Sequence, residues 1–164
     1  MKKIKISTNF DIYQSLNDLP SEEFELMRQA IEARKEAYAP YSKFSVGAAV
    51  LLDNGEIITG SNQENAAYPS GLCAERVAIF YACAKFPETQ ILKLAISATA
   101  SNDRTVVPIP PCGACRQSII EYEFKQKTPI EIIFMGASGN VAKSASMANL
   151  LPLGFDNSYL FSDI

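Results

Sequence analysis

Two short cysteine clusters, separated by almost forty residues and chemically dependent on one another, constrain this chain more than any other feature. Cys73-Ala74-Glu75 precedes Pro111-Cys112-Gly113-Ala114-Cys115, and the sequence contains no histidine. Without imidazole, every site that needs a histidine base, proton shuttle or metal ligand is excluded. The available chemistry runs on thiolates and carboxylates. Three thiolates hold a tetrahedral zinc and leave its fourth position open, which is the arrangement of a catalytic and not a closed structural site. Glu75, two residues from one ligand, then stands where a proton carrier to an activated water is needed. A chain that uses these groups together must fold so that the starts of two separate segments face one point.

The order of the elements allows this. From Ser21, read as an N-cap, the apolar positions Phe24, Met27, Ile31 and Tyr38 recur at helical spacing until Pro40 stops the run. Phe44–Leu52 reads as a strand, Asp53-Asn54-Gly55 as a turn and 56–60 as the returning strand of a hairpin. After a polar loop over 62–72, Cys73 opens a helix running to Ala82 and ending near Pro87. Ile91–Ala100 is an apolar run of strand length, 101–111 a loop, 112–124 a second amphipathic helix and 130–135 a third buried strand. A turn at Ser138-Gly139-Asn140 and a helical piece around 147–151 complete the body. Strands separated by helices predict parallel pairing with helices on both faces, joined to an antiparallel hairpin.

Cys73 and Cys112 thus both fall at the first turn of a helix, where unpaired N–H groups and the helix dipole favour a thiolate. Cys115, one turn beyond Cys112, projects from the same side. Three thiolates around one Zn2+ carry a net charge of -1, which opposes the acidification of bound water. A nearby cation is therefore expected, with Arg76 the first candidate and Arg116 the second.

At 164 residues the chain is one domain's worth of sequence, able to bury roughly two thirds of its unfolded surface without staples. Residues 1–20 read as an irregular lead-in and 21–164 as a single catalytic domain. The formal net charge of -3, with lysines and arginines scattered, gives no footprint for nucleic acid. The N-terminus has charge but no apolar run behind it, and no 18-residue apolar stretch could span a bilayer. A cytoplasmic location follows, where cysteines serve metal sites or catalysis more than disulfides. Cys83 lies inside a helical pattern and reads as a core residue.

A lone C-x-x-C also occurs in redox dithiols and in structural zinc knuckles, but the redox reading leaves Cys73 and Glu75 without a role. Together the pieces match the zinc deaminase pattern, with Cys73 in the place of its histidine. The segment Tyr38-Ala39-Pro40-Tyr41-Ser42-Lys43-Phe44-Ser45-Val46-Gly47-Ala48-Ala49, with Asn62-Gln63-Glu64-Asn65-Ala66-Ala67-Tyr68, Cys73-Ala74-Glu75-Arg76 and Pro111-Cys112-Gly113-Ala114-Cys115-Arg116-Gln117, resembles cytidine deaminases of the small, homotetrameric, three-cysteine zinc type. The resemblance runs over about 21–155.

That resemblance implies a three-layer α/β/α sandwich on a mixed five-stranded sheet, one zinc per chain and hydrolytic deamination of cytidine and 2'-deoxycytidine in pyrimidine salvage. It implies Cys73, Cys112 and Cys115 as zinc ligands and Glu75 as the proton carrier to ring N3 and to the departing ammonia. The Ala74 N–H would bind the pyrimidine O2, Asn62 and Glu64 the ribose 3'-hydroxyl, and Phe44 would pack on the nucleoside. Phe155 would close the site of a neighbouring subunit. Pro110 stands where the family commonly has serine or threonine, and the loop 70–72 and the stretch 102–108 are where substrate fit can differ. Two other readings share parts of the pattern. A deaminase of a related aminonucleoside such as blasticidin S shares both zinc motifs, and Asn62 with Glu64 argues against it. A non-catalytic zinc-binding module needs a fourth ligand that neither histidine nor a suitably placed cysteine supplies.

Overall fold

The computed structural model describes residues 1–101 and 104–161. Among them, the strands β1 (Asp11–Tyr13), β2 (Phe44–Leu52), β3 (Ile57–Ser61), β4 (Ile91–Ala100), β5 (Glu131–Met135) and β6 (Val141–Ser144) form one sheet in the order β1-β6-β5-β4-β2-β3. Only β4 and β5 pair in parallel; every other neighbouring pair is antiparallel. The helices are α1 (Ser21–Lys35), α2 (Ala74–Lys85), α3 (Gly113–Gln126) and the short α4 (Met147–Leu150) and α5 (Ser158–Phe161).

Period-2 alternation along the strands separates two cores. Ala48, Val50 and Leu52 of β2 face α2, α3 and α4 together with Leu94, Ile96, Ile132 and Phe134. Ala49 and Leu51 face α1, where Leu26, Met27 and Ala30 meet Ala95 and Ile133. Because both faces of β2, β4 and β5 are covered, these strands read as continuous apolar runs. The three-layer α/β/α arrangement is the expected one.

Two glycines set how closely the helices approach the sheet. A Cβ at Gly47 would collide with the backbone of Ala30 and Arg34 in α1. One at Gly60 would lie 2.8 Å from the Ala74 carbonyl oxygen and 2.7 Å from the Ala78 nitrogen. Gly60 therefore lets the first turn of α2, which follows Cys73 and contains Glu75, rest directly on β3.

Several expectations need correction. The sheet has six strands and not five, because residues of the supposed lead-in form β1 on the edge of β6. A 3-10 turn at Leu16–Asp18 follows. β6 is too short to show a period, and β1 takes only the end of an alternating run over 4–12 that a reading of 1–20 as irregular passes over. Parallel pairing is confined to β4 and β5, since β4 runs antiparallel to β2 on its other side and β5 antiparallel to β6. Ser21 is the first residue of α1, with Pro20 at the capping position. Tyr38 lies beyond the end of that helix and is exposed, so its helical spacing is a coincidence of the sequence.

Candidate active site

Cys73 occupies the N-cap position of α2 and Cys112 that of α3, both in extended backbone conformation. Neither side chain caps its own helix. Both sulfurs are thus free to point outward beside unpaired helix N–H groups. Cys115 sits within the first turn of α3 and is fully buried. The three Sγ atoms lie within 4.8 Å of one another, with Cys73 and Cys112 4.0 Å apart. Thiolates at about 2.3 Å from a tetrahedral zinc are roughly 3.8 Å apart, so the triangle is close to the size such an ion requires. The described residues supply no fourth His, Cys, Asp or Glu donor to this cluster.

The electrostatics favour a thiolate at Cys73. The Cys73 pKa falls to about 5, chiefly because the Cys115 thiol hydrogen-bonds to it and, against the opposing effect of burial, because Arg76 and Cys112 do too. The same contact with Cys73, reinforced by burial, holds the Cys115 proton on. Arg76 places Nη2 3.8 Å from the Cys73 sulfur. Arg116 does not share this role: its Nε donates to the Pro111 carbonyl at 2.8 Å and Nη1 to the Leu150 carbonyl at 3.1 Å. It is a backbone tie for the loop ahead of Cys112, neither a zinc-site cation nor a solvated charge.

Glu75 is 4 % exposed, and its Oε2 has no hydrogen-bond partner. Burial pushes its pKa up, and the neighbouring Cys73 charge adds to the effect. An unpartnered buried carboxylate oxygen costs stability, so its presence beside three thiols marks a group kept for chemistry. Cys83 is half-buried away from the cluster, packed against the α2–α3 core, and burial raises its pKa. That matches its reading as a packing residue.

Cys73, Cys112, Glu75 and Arg76 line a cleft of about 690 Å³. Ile96 and Ala98 of β4 with Phe44 and Val46 of β2 supply apolar lining to the same cleft. Asn62 and Glu64 line the same cleft. Their loop is stitched in place by backbone bonds from Gln63 to Leu72 and from Glu64 to the Tyr38 carbonyl. Asn62 clamps the start of β2, accepting from the Val46 N–H at 2.8 Å and donating to the Phe44 carbonyl at 2.9 Å. Glu64 Oε2 accepts from the N–H groups of Tyr41 and Ser42 at 2.8 and 3.2 Å.

Ala74 is buried behind the cleft as the first residue of α2, where its N–H lacks an intrahelical acceptor. Pro110 lines the cleft; of the stretch 102–108, residues 102 and 103 lie outside the described residues. Phe155 does not line this cleft in its own chain. It is exposed and stacks on Tyr159 with ring centroids 5.6 Å apart.

The sequence reading missed two walls. Tyr41 and Tyr68 flank the cleft with centroids 6.0 Å apart. Their signal in the sequence is an aromatic in each of two polar loops that carry other site residues. It also missed Glu123, a buried carboxylate of α3 that accepts from Ile130, Met147 and Ala148 N–H groups and so holds α4 against α3.

Residues 20–129 match the model of the cytidine and deoxycytidylate deaminase zinc-binding region. The chain belongs to this family. Among curated cytidine deaminases, that of Halalkalibacterium halodurans is 40 % identical over 131 residues, covering 79 % of this chain and 91 % of the relative. That of Sporosarcina psychrophila is 38 % identical over 130 residues, covering 79 % and 88 %. The crystal structure of cytidine deaminase from Burkholderia pseudomallei superposes with a TM-score of 0.70 at 37 % identity, covering 84 % of this chain and all of that one. The family's zinc-binding region and the three-cysteine cluster point to the same metal.

Proposed function

We propose that this protein catalyses the hydrolytic deamination of cytidine and 2'-deoxycytidine to uridine and 2'-deoxyuridine, releasing one ammonia for each water consumed. The observation that carries the reading is the buried Glu75 carboxylate, unpartnered at Oε2, beside the Cys73, Cys112 and Cys115 triangle at an apolar-lined cleft. Family membership and relatives named cytidine deaminase support it.

Cys73, Cys112 and Cys115 hold one zinc per chain, which when bound supplies Lewis-acid activation of water at neutral pH. Glu75 takes a proton from the attacking water and delivers it to ring N3, which makes C4 electrophilic. It then carries a proton to the departing amino group, so that ammonia leaves and a carbonyl remains at C4. The raised affinity of Glu75 for its proton suits a group that must both accept and donate. Arg76 offsets the negative charge of the thiolates through Cys73.

The apolar lining formed by Phe44, Val46, Ile96 and Ala98 receives the uncharged ring, with Phe44 against the nucleoside. The Ala74 N–H binds O2, and Asn62 and Glu64 orient the ribose through its 3'-hydroxyl. Asn62 spends part of its hydrogen-bonding capacity on the start of β2 and Glu64 on the N–H groups of the loop ahead of it, which fixes both before substrate arrives. The Pro110 carbonyl stands as acceptor for the amino group, since proline loses only its N–H.

The protein acts as a cytoplasmic homotetramer of single-domain chains in pyrimidine salvage. A site built on reduced thiols suits a reducing compartment, and a cleft open on one side suits closure by Phe155 of a neighbouring subunit. Its partner is a small nucleoside, and neither nucleic acid nor membrane is required. Incubating the protein with cytidine and following the absorbance change on conversion to uridine, with ammonia measured in parallel, tests the reading. Absence of both products from zinc-loaded protein contradicts it.

A further inference from the structure

The edge strand β1 continues N-terminally into a segment held to the rest of the described residues by hydrogen bonds only at Asn9, whose N–H donates to the Asn149 side chain at 3.2 Å and whose carbonyl accepts from it at 2.8 Å. The family region begins at residue 20. Among the described residues, 1–8 make no hydrogen bond or ion pair, yet the segment is strongly patterned. Ile4, Ile6, Thr8, Phe10 and Ile12 alternate with Lys5, Ser7, Asn9 and Asp11, the period of a strand with one apolar face. Those apolar side chains are exposed: Ile4 72 %, Ile6 48 %, Phe10 40 % and Ile12 52 %. The outer edge of β1 is an unpaired edge of the sheet, a ready template for another strand.

The same stretch is complementary to itself. Laid antiparallel on a second copy about Thr8, Ile4 stands opposite Ile12, Ile6 opposite Phe10, Ser7 opposite Asn9 and Thr8 opposite Thr8. Lys5 then stands opposite Asp11. Within its own chain Asp11 lies across from Lys143, but Lys143 Nζ is held by Glu23 at 2.7 Å and Glu131 at 3.0 Å. Among the described residues, Asp11 and Lys5 have no ion-pair partner.

Directly opposed residues share a face, so all the apolar pairs fall together. That face looks onto a second cavity of about 560 Å³, bordered by Phe10, Ile12, Pro110, Phe134 and Leu150. Phe10 meets Phe134 edge-on at 6.4 Å there. Ile4 and Ile6 of the second copy would lie beside Ile12 and Phe10 at its mouth.

We propose that residues 4–12 form an isologous two-stranded contact with a second copy of this chain, centred on Thr8. A two-fold contact of this kind closes on itself and occupies the β1 edge of both copies. It removes an aggregation-prone apolar edge and brings Lys5 to Asp11 of the other copy. The inference does not rest on the deaminase reading.

Variants of the full zinc-loaded chain with one introduced cysteine, in a Cys83→Ser background that leaves only the three zinc-site cysteines beside it, test the register under mild oxidation. Thr8→Cys is expected to form a covalent dimer in more than half of the chains. Ile4→Cys is expected to remain uncross-linked alone and to form the dimer when mixed with Ile12→Cys. Thr8→Cys that cross-links no more than Ile4→Cys alone overturns the proposal. Because residues 4–8 make no intramolecular hydrogen bonds and the Ile12 side chain is exposed, these variants fold as the parent does. Cytidine turnover on the same samples separates the two readings: cross-linking without turnover contradicts only the deaminase reading, and turnover without Thr8 cross-linking contradicts only this contact.

Discussion

The Arg76 guanidinium lies 3.8 Å from the Cys73 sulfur, one helical turn from it on α2. Arg116 bonds instead to the carbonyls of Pro111 and Leu150. Two arginines, each next to a zinc-site motif, therefore do different work, one on charge and the other on the backbone.

Arg76→Gln is expected to weaken zinc retention by about 10- to 100-fold, as loss of a group supporting a metal ligand does. Arg116→Gln is expected to hold zinc better than Arg76→Gln and to lose about 1.5–3 kcal/mol of stability, the worth of a charged hydrogen bond. Zinc transfer to a chelator and denaturant melts of both variants give the ranking. Equal zinc loss in the two would remove Arg76 from the site's charge balance.

Metal analysis separates ligands from bystanders. Cys73→Ala, Cys112→Ala and Cys115→Ala each leave two thiolates and are expected to lose zinc, while Cys83→Ala retains it in full. Comparable loss from the Cys83 variant would mean that the ligand set is misassigned.

Much of this site is legible in the sequence because its chemistry sits at chain punctuation. Proline and glycine mark the loops ahead of Cys73 and Cys112, and a cysteine at a helix start has a direct electrostatic meaning. The hairpin and β4 were legible because their apolar runs are long. β6, with four residues, falls below the length at which a period can be counted, β1 takes only the end of an alternating run inside a segment read as irregular, and the expected five-stranded sheet came from the family resemblance. Glu123 and Arg116 were opaque for another reason: a charged residue in a helix does not reveal its backbone partners, such as Met147 for Glu123 and Leu150 for Arg116, until the fold brings them together.

Glu23 supplies a pH-dependent element on the α1 face. It is 2 % exposed; burial raises its pKa, but hydrogen bonds and charge from Lys143 and Lys93 outweigh this and leave it below the ordinary value. A carboxyl with a depressed folded pKa contributes stability above its unfolded value near 4.5 and loses it as pH falls through the folded value. Glu23→Gln is expected to cost about 3 kcal/mol at pH 7, the low end for a broken buried pair because Glu131 remains beside both lysines. Chemical denaturation from pH 7 to pH 3 checks this; the gap between variant and parent should close on the acid side.

Phe155 stacks on Tyr159 outside its own chain's cleft, and its backbone carbonyl is held by Gln117 at 2.8 Å. Phe155→Ala is expected to raise KM for cytidine about tenfold, the loss of one aromatic contact, with zinc content and fold unchanged. Light scattering on the active parent is expected to give a tetramer. A fully active monomer at assay concentration would mean that each cleft is complete without a neighbour.

The most direct test is the turnover of Glu75→Gln at matched zinc content. The amide keeps the shape of the side chain and removes its capacity to carry a proton, while Cys73, Cys112 and Cys115 remain. The expected result is full zinc occupancy, an unchanged fold and a fall in cytidine kcat of between about 100-fold and 10,000-fold. Turnover within tenfold of the parent would contradict the assignment of proton transfer to Glu75 and, with it, the mechanism built on this site.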